Sequence, residues 1–442
     1  AQNALIAGGE QTLPELKIAL ERPTLEPVVR LALVRICGRI RSAQAVPLLL
    51  TQLAHPHVQV RTQTLLALQQ CGYAADAVTR PLIEEQLEAE FAQAAWLLAG
   101  IVALEEAATA PLLAAALLHS LAQQRDRFFL WLALLYDNAT VLRVRNAFRA
   151  VQGAYREGAD EQRAYALETM EVLFPKSMTK NLLPLLEDLP FPQQLQRLAV
   201  DFPQPALPAP ERLLTILTEA AGWLNPWVKA VALYTAVQSP CVETGKATLC
   251  PVANKLATDP EPLLQETATW ALNVLAQPDE QRANGATTML LTIEKVMILK
   301  TVDIFAQTPD EILADIAALL KEVEAPLGAT IFEKGEQGDS MYIIVEGEVE
   351  ALDGERAFTR MGERQVFGEM ALLDGEPRTA SIRTTQATRL LRLDQEPFYE
   401  LMDDRIEIAR GVIHVLLQRL RARTDDLNQL RRQLADTESA KR

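Results

Sequence analysis

The stretch Phe367-Gly368-Glu369-Met370-Ala371-Leu372-Leu373-Asp374-Gly375-Glu376-Pro377-Arg378-Thr379-Ala380-Ser381 carries more chemical information than any other part of this chain. Gly368 lets the backbone approach a ligand closely. Ala371 and Leu372 stand at the start of a short helix, whose free N–H groups suit an anion. Glu369 offers a carboxylate to a hydroxyl group. Nine residues on, Arg378 offers a planar fork for two contacts to a phosphate. A carboxylate and a guanidinium on one ligand imply a molecule with both hydroxyl and anionic groups. The plainer alternative is a site in which Arg378 and Glu369 simply pair with each other.

Outward from this segment the pattern has period two. Thr330–Glu333, Met341–Val345, Glu348–Leu352, Ser381–Arg383 and Thr388–Leu393 read as short strands. Gly335, Gly338-Asp339, Glu346-Gly347 and Asp353-Gly354 supply the turns between them. Many short strands with glycine turns predict a small antiparallel barrel or jelly roll. The segment Phe367–Ser381, together with Glu333-Lys-Gly335-Glu-Gln-Gly338-Asp339 and Glu346-Gly347-Glu348-Val349, resembles the cyclic nucleotide-binding domain family over about residues 293–424. The resemblance implies that Glu369 accepts the ribose 2′-hydroxyl and that Arg378 pairs with the cyclic phosphate. Backbone groups of Phe367, Gly368, Glu369, Met370, Ala371 and Leu372 would complete the cradle, with Thr379 and Ala380 beside phosphate and base. It implies cAMP as the regulatory ligand, with cGMP as the alternative because Thr379 adds a hydroxyl, and no metal.

The tail from about Asp404 spaces Ile413, Leu416, Leu420, Leu427, Leu430 and Leu434 by three, four and seven, the pattern of a long amphipathic helix or coiled coil. In the resembled family the helix after the barrel closes over the base. Leu416, Leu417, Arg419, Leu420 and Arg421 are its candidate lid residues, and the last part of the helix is a candidate homodimer seam.

Towards the N-terminus the texture is helical and repetitive. Val29-Arg30 and Val60-Arg61 each follow a proline-containing turn and precede an apolar stripe, and the two arginines lie 31 positions apart. Similar helices recur near Arg163, Lys229 and Gln265. A period of roughly 31–36 residues with paired amphipathic helices reads as an α-solenoid. The Val-Arg pairs resemble the HEAT repeat family, mostly protein-interaction scaffolds. The arginines are read chiefly as structural bridges between neighbouring helices.

The fold class expected is therefore multidomain α + β. A HEAT-like α-solenoid spans 1–285, a cyclic nucleotide-binding β-barrel or jelly roll with flanking helices spans 286–403, and a lid helix with a coiled coil spans 404–442. With 442 residues, 49% hydrophobic and 23% charged, the chain has ample material for these cores. The 43 Lys and Arg against 58 Asp and Glu leave a net charge of −15, which argues against a general nucleic-acid binder. The residues after Arg423 are also too few for a helix-turn-helix module.

Four cysteines are too few for a disulfide framework, so reduced thiols are expected. The four histidines are scattered, and His55-Pro56-His57 reads as a turn between helices. No nucleophile elbow, phosphate-binding Walker loop or metal-ligand cluster is present, so no catalytic or metal site is expected. Apolar runs such as Ala110–Leu118 fall short of the ~18 residues of a membrane span, and a cytoplasmic location is expected.

The function expected from sequence is a non-enzymatic sensor, in which cyclic nucleotide binding alters how the solenoid engages a protein partner. The alternative is the cytosolic regulatory region of a membrane transporter, by resemblance to soluble regions of bacterial ATP/ADP translocase relatives. Its membrane part would lie outside this chain, tethering it through an N-terminal region. The start at Ala1 rather than Met is compatible with that.

Overall fold

Proline at the first helical turn sets where many of the N-terminal helices begin, because its missing N–H costs nothing there. Pro27–Ile40, Pro111–Leu135 and Pro226–Gln238 all start this way. The computed structural model describes residues 2–107, 110–152, 159–218, 223–238, 242–277, 289–306, 308–354, 356–405, 408–413 and 415–417. The chain divides into two units, 1–255 and 256–442.

The first unit is helical throughout its described residues. Arg30 shows how its turns are closed. Its buried guanidinium donates to the carbonyls of Leu20 and Arg22, at 2.7 and 2.9 Å, and to Gln52 Oε1 at 2.9 Å. The carbonyl groups at the end of helix Leu13–Leu20 are thereby satisfied by the next helix in the chain. Arg61 does the same for the His55–His57 turn, donating to the carbonyls of His55 and Pro56 at 3.0 and 2.9 Å.

Two long helices, Arg80–Ala107 and Pro111–Leu135, pack together as a hairpin. The first also packs on Phe191–Leu198 and Ala209–Thr218, and the second on Val58–Gln70 and Pro226–Gln238. Phe91 stacks on Phe128 at 4.5 Å at the centre of this packing. The stretch Arg80–Glu105 is long and apolar enough to cross a membrane by length and composition, a property that uninterrupted apolar runs do not reveal. Of its most apolar window 61% is buried against the rest of the structure.

The second unit places helices Pro262–Ala276, Thr292–Leu299 and Asp310–Leu319 before eight strands among the described residues. The strands are β1 (Lys321–Ala325), β2 (Thr330–Phe332), β3 (Ser340–Glu346), β4 (Val349–Asp353), β5 (Arg356–Met361), β6 (Val366–Phe367), β7 (Ser381–Thr384) and β8 (Thr388–Asp394). They form two antiparallel four-stranded sheets, ordered β1-β8-β3-β6 and β2-β7-β4-β5, the arrangement of a jelly roll. Phe332, Tyr342, Ile344, Val349, Ala351, Phe367, Ile382 and Leu390 fill the space between them.

The five strands expected from period-two patterning all form. The additional β1, β5 and β6 are sheet-edge strands, and β5 is exposed along almost its whole length. An edge strand with no buried alternation leaves no pattern to read. Helix Gln395–Asp404 comes directly after the barrel, and the buried ring of Phe398 meets that of Phe305 edge-on at 6.1 Å.

Cys37, Cys71 and Cys250 are free thiols, while Cys241 lies outside the described residues. His55 accepts a hydrogen bond from the His57 backbone N–H at 3.1 Å. Burial, reinforced by the nearby charges of Arg30, His57 and Arg61, pushes its imidazole from 6.5 down to about 4. An unfolded chain takes up this proton below pH 6.5, whereas the folded chain resists until about pH 4, so acidification favours unfolding across that window. His55→Asn keeps an acceptor for the His57 N–H and removes the titration. Thermal unfolding at a series of pH values should show a smaller loss of stability between pH 6.5 and 4 in the variant; parallel curves would contradict this assignment.

Candidate functional site

At the end of β6 the chain must turn sharply, and Gly368 does this at φ +78°. The helix Glu369–Asp374 comes next and is stopped by Gly375 at φ +66°, with Pro377 two residues beyond. A Cβ on Gly368 would sit 2.5 Å from an Nη atom of Arg378, so glycine is required for space as well as for conformation. Gly338 faces the helix from the other side, and a Cβ there would lie 2.3 Å from the Cβ of Ala371.

Arg378 is pinned at both levels. Its backbone N–H donates to the Glu336 carbonyl at 2.8 Å, and its carbonyl accepts from the Gly335 N–H at 2.8 Å. Its guanidinium donates from Nη1 to the Ser340 carbonyl at 2.7 Å and from Nη2 to the Ser340 hydroxyl at 3.1 Å. The guanidinium carbon stands 4.0 Å from the centre of the Phe332 ring. Arg378 is only 6% exposed, and burial lowers its pKa from the ordinary arginine value, against the opposing influence of Tyr342 and Asp339. Among the described residues no carboxylate makes an ion pair with it, and Glu369 in particular does not. The self-pairing alternative is therefore not what the fold adopts. A buried cation held by a carbonyl, a hydroxyl and a ring face has its position fixed while its charge is left to be balanced.

The other expected residues are distributed around this point. Ala371 and Leu372 are buried, and Leu372 donates its N–H to the Gly368 carbonyl at 3.3 Å. Glu369 is half-buried and Met370 is 59% exposed. Thr379 is exposed beside Arg378, and Ala380 packs at the margin of the barrel core. Phe367 belongs to the core itself, its ring stacked on Tyr342 at 5.2 Å. Of the lid candidates, Leu416 and Leu417 are 41% and 46% exposed, whereas Ile408, Val412 and Val415 supply the buried face of this helical stretch. Arg419, Leu420, Arg421 and the seam positions Leu427, Leu430 and Leu434 lie outside the described residues.

Sequence reasoning does not find the supporting contacts. Phe332 reads as a strand residue and Ser340 as the edge of a turn, and nothing local marks them as partners of an arginine 46 and 38 positions later. Gln395 and Tyr399 are a second pair of this kind. Gln395 Nε2 donates to the carbonyls of Ala371 and Leu372, at 3.1 and 3.0 Å, and the Tyr399 hydroxyl donates to the Leu373 carbonyl at 2.5 Å. The carbonyls ending the short helix are thus satisfied by the helix after the barrel.

Residues 322–405 match the sequence model of the cyclic nucleotide-binding domain. The C-terminal part of this chain carries that domain. The CRP-like cAMP-activated global transcriptional regulator of Mycobacterium tuberculosis is 36% identical over 138 residues, 30% of this chain and 62% of the regulator. A cyclic nucleotide-gated potassium channel of Rhizobium etli is 34% identical over 122 residues, 28% of this chain and 34% of the channel. The cAMP-dependent protein kinase regulatory subunit of Aspergillus fumigatus is 37% identical over 101 residues, 22% of this chain and 24% of the subunit. The crystal structure of the Thermus thermophilus catabolite activator protein is similar at 28% identity with a TM-score of 0.26, covering 29% of this chain and 62% of that one. The match thus spans 62% or less of each of these proteins.

Because Ala371 is anchored in the short helix, a methyl group at position 338 has nowhere to go. Gly338→Ala should destabilise the second unit by about 1–3 kcal/mol through overpacking, read as a lower urea midpoint. An unchanged midpoint would show that the helix yields freely.

Proposed function

We propose that this chain is a non-enzymatic cyclic nucleotide sensor, in which cAMP occupies the pocket around Arg378 and the helical unit serves as a protein-interaction scaffold. The observation that carries this reading is the Arg378 guanidinium, buried and held in place but in an ion pair with no carboxylate among the described residues. The cyclic phosphate supplies that negative charge, and Glu369, unpaired with Arg378, remains to accept the ribose 2′-hydroxyl. The relatives named for cAMP activation and cAMP dependence favour cAMP over cGMP. The free thiols suit the cytoplasm, where we place the chain.

Coupling begins where Gln395 and Tyr399 grip the helix Glu369–Asp374. A ligand that shifts this helix pulls directly on Gln395–Asp404. Arg405 continues the chain of contacts, pairing with Asp315 at 3.1 Å. Any such coupling is limited to the ligand's differential affinity for two arrangements, typically ~1–3 kcal/mol.

The scaffold reading is best supported between residues 13 and 70. There Leu13–Leu20 with Pro27–Ile40, and Val46–Leu50 with Val58–Gln70, form two helix pairs whose second helices pack together. Arg30 and Arg61 occupy the same position, fourth in those second helices. We read these pairs as HEAT-like. Beyond them the long hairpin packs on helices distant in sequence, which departs from the neighbour-only stacking of a simple solenoid.

Calorimetric titration of the chain with cAMP and then cGMP tests the ligand. Saturable binding of cAMP is expected, weakened about 100-fold or more in Arg378→Ala, since two charged hydrogen bonds to the phosphate are lost. Circular dichroism of the variant checks that the fold persists. Unaltered affinity in a folded Arg378→Ala variant would overturn the assignment.

A further inference from the structure

A second cluster of buried charge lies in the helical unit, remote in sequence from the nucleotide-binding domain. Glu90, Arg127 and Arg61 are 2%, 5% and 7% exposed. Arg127 binds the Glu90 carboxylate closely, with Nη2 at 3.2 Å and Nε at 3.2 and 3.4 Å. Gln124 adds a hydrogen bond to the same carboxylate at 3.0 Å. Arg61 is left as the outer member: its Nη2 stands 3.9 Å from Glu90 and makes no hydrogen bond. Among the described residues two guanidinium groups thus share one carboxylate, leaving one positive charge in excess in a buried setting. Such an excess is costly unless an anion offsets it.

Beside this cluster is an open pocket of about 140 Å³, bordered by Arg61, Glu90, His55, Gln86, Gln93 and Trp223 among others. The helix contributes Gln86, Glu90 and Gln93 from one face, at the spacing of successive turns. His55 adds a donor. Its Nδ1 accepts from the His57 N–H, which leaves the ring proton on Nε2. Trp223 is one wall, edge-on to Trp96 at 5.2 Å. A cavity of about 150 Å³ accommodates a benzene-sized molecule. The pocket here is open to solvent on one side, and its recess has room for about six non-hydrogen atoms.

We infer that this cavity binds a small oxyanion, inorganic phosphate or a short carboxylate, which completes the charge balance of the Arg61–Glu90–Arg127 cluster. The Glu90 carboxylate also borders the pocket but is engaged by Arg127 and Gln124, so the groups left to meet a ligand are Arg61, His55, Gln86 and Gln93. It makes the helical unit a second ligand-responsive element, independent of the cyclic nucleotide reading.

The test uses the full chain, titrated calorimetrically with phosphate and separately with pyruvate at constant ionic strength. Gln93→Glu is the main variant, because it keeps the side-chain volume and places a carboxylate in the cavity in the ligand's stead. At least tenfold weaker anion binding and a raised thermal midpoint are expected for it. Arg61→Gln should also weaken binding, and Arg378→Ala should leave it unchanged. Saturable binding of either anion with this pattern supports the proposal, and which anion binds separates a phosphate from a carboxylate ligand. The proposal is overturned by no saturable binding of either, by wild-type affinity in Gln93→Glu, or by binding lost only in Arg378→Ala, which would locate it at the nucleotide pocket.

Discussion

The C-terminal domain depends on the placement of one guanidinium. Arg378 is wedged between the Ser340 main chain and the Phe332 ring, and its own backbone is tied to the Gly335–Glu336 turn. Three sequence-distant segments therefore meet at one side chain: the end of β2, the start of β3 and the turn before β7. The close approach of Gly368 and Gly338 arises from the same constraint, because any side chain at either position would collide with Arg378 or with the helix beside it. The arginine is positioned by contacts to a carbonyl, a hydroxyl and a ring, with no carboxylate paired to it among the described residues. That separation of geometry from charge distinguishes the site from a structural ion pair.

Shared hydrogen bonds link the pocket to the helix after the barrel. A helix of six residues leaves most of its carbonyls without internal partners. Here Gln395 and Tyr399 supply the missing donors from Gln395–Asp404. The short helix and the post-barrel helix are consequently tied together, and neither can shift without breaking contacts to the other. The Arg405–Asp315 pair continues this connection to the helix that precedes the barrel.

In the helical unit buried arginines perform a different task. Arg30 and Arg61 direct their donors at loop carbonyls, closing turns where prolines end one helix and begin another. Their equal position in the second helices of two successive pairs was legible from Val29-Arg30 and Val60-Arg61, and the structure gives it a mechanical reason. The periodicity did not convey the hairpin of Arg80–Ala107 and Pro111–Leu135. Helices of that length reach past their immediate neighbours, so Arg80–Ala107 packs against segments about a hundred residues later. Local amphipathic spacing says which face is buried but not which helix buries it.

Sequence alone determined the division between a helical region and a β-rich one, five of the eight strands, and the grouping of Gly368, Glu369 and Arg378 in one segment. These are local properties: period, turn chemistry and the spacing of a few functional groups within fifteen residues. Only the tertiary structure decided that Arg378 rests on Ser340 and Phe332 rather than on Glu369. It alone showed that Phe367 fills the core, that Leu416 and Leu417 face outward, and that β1, β5 and β6 complete the sheets. Those outcomes depend on contacts between residues tens of positions apart, on close approaches of a few ångströms and on edges that carry no alternation. No local pattern encodes distances of that kind, because they are set by the simultaneous packing of every element around the same core.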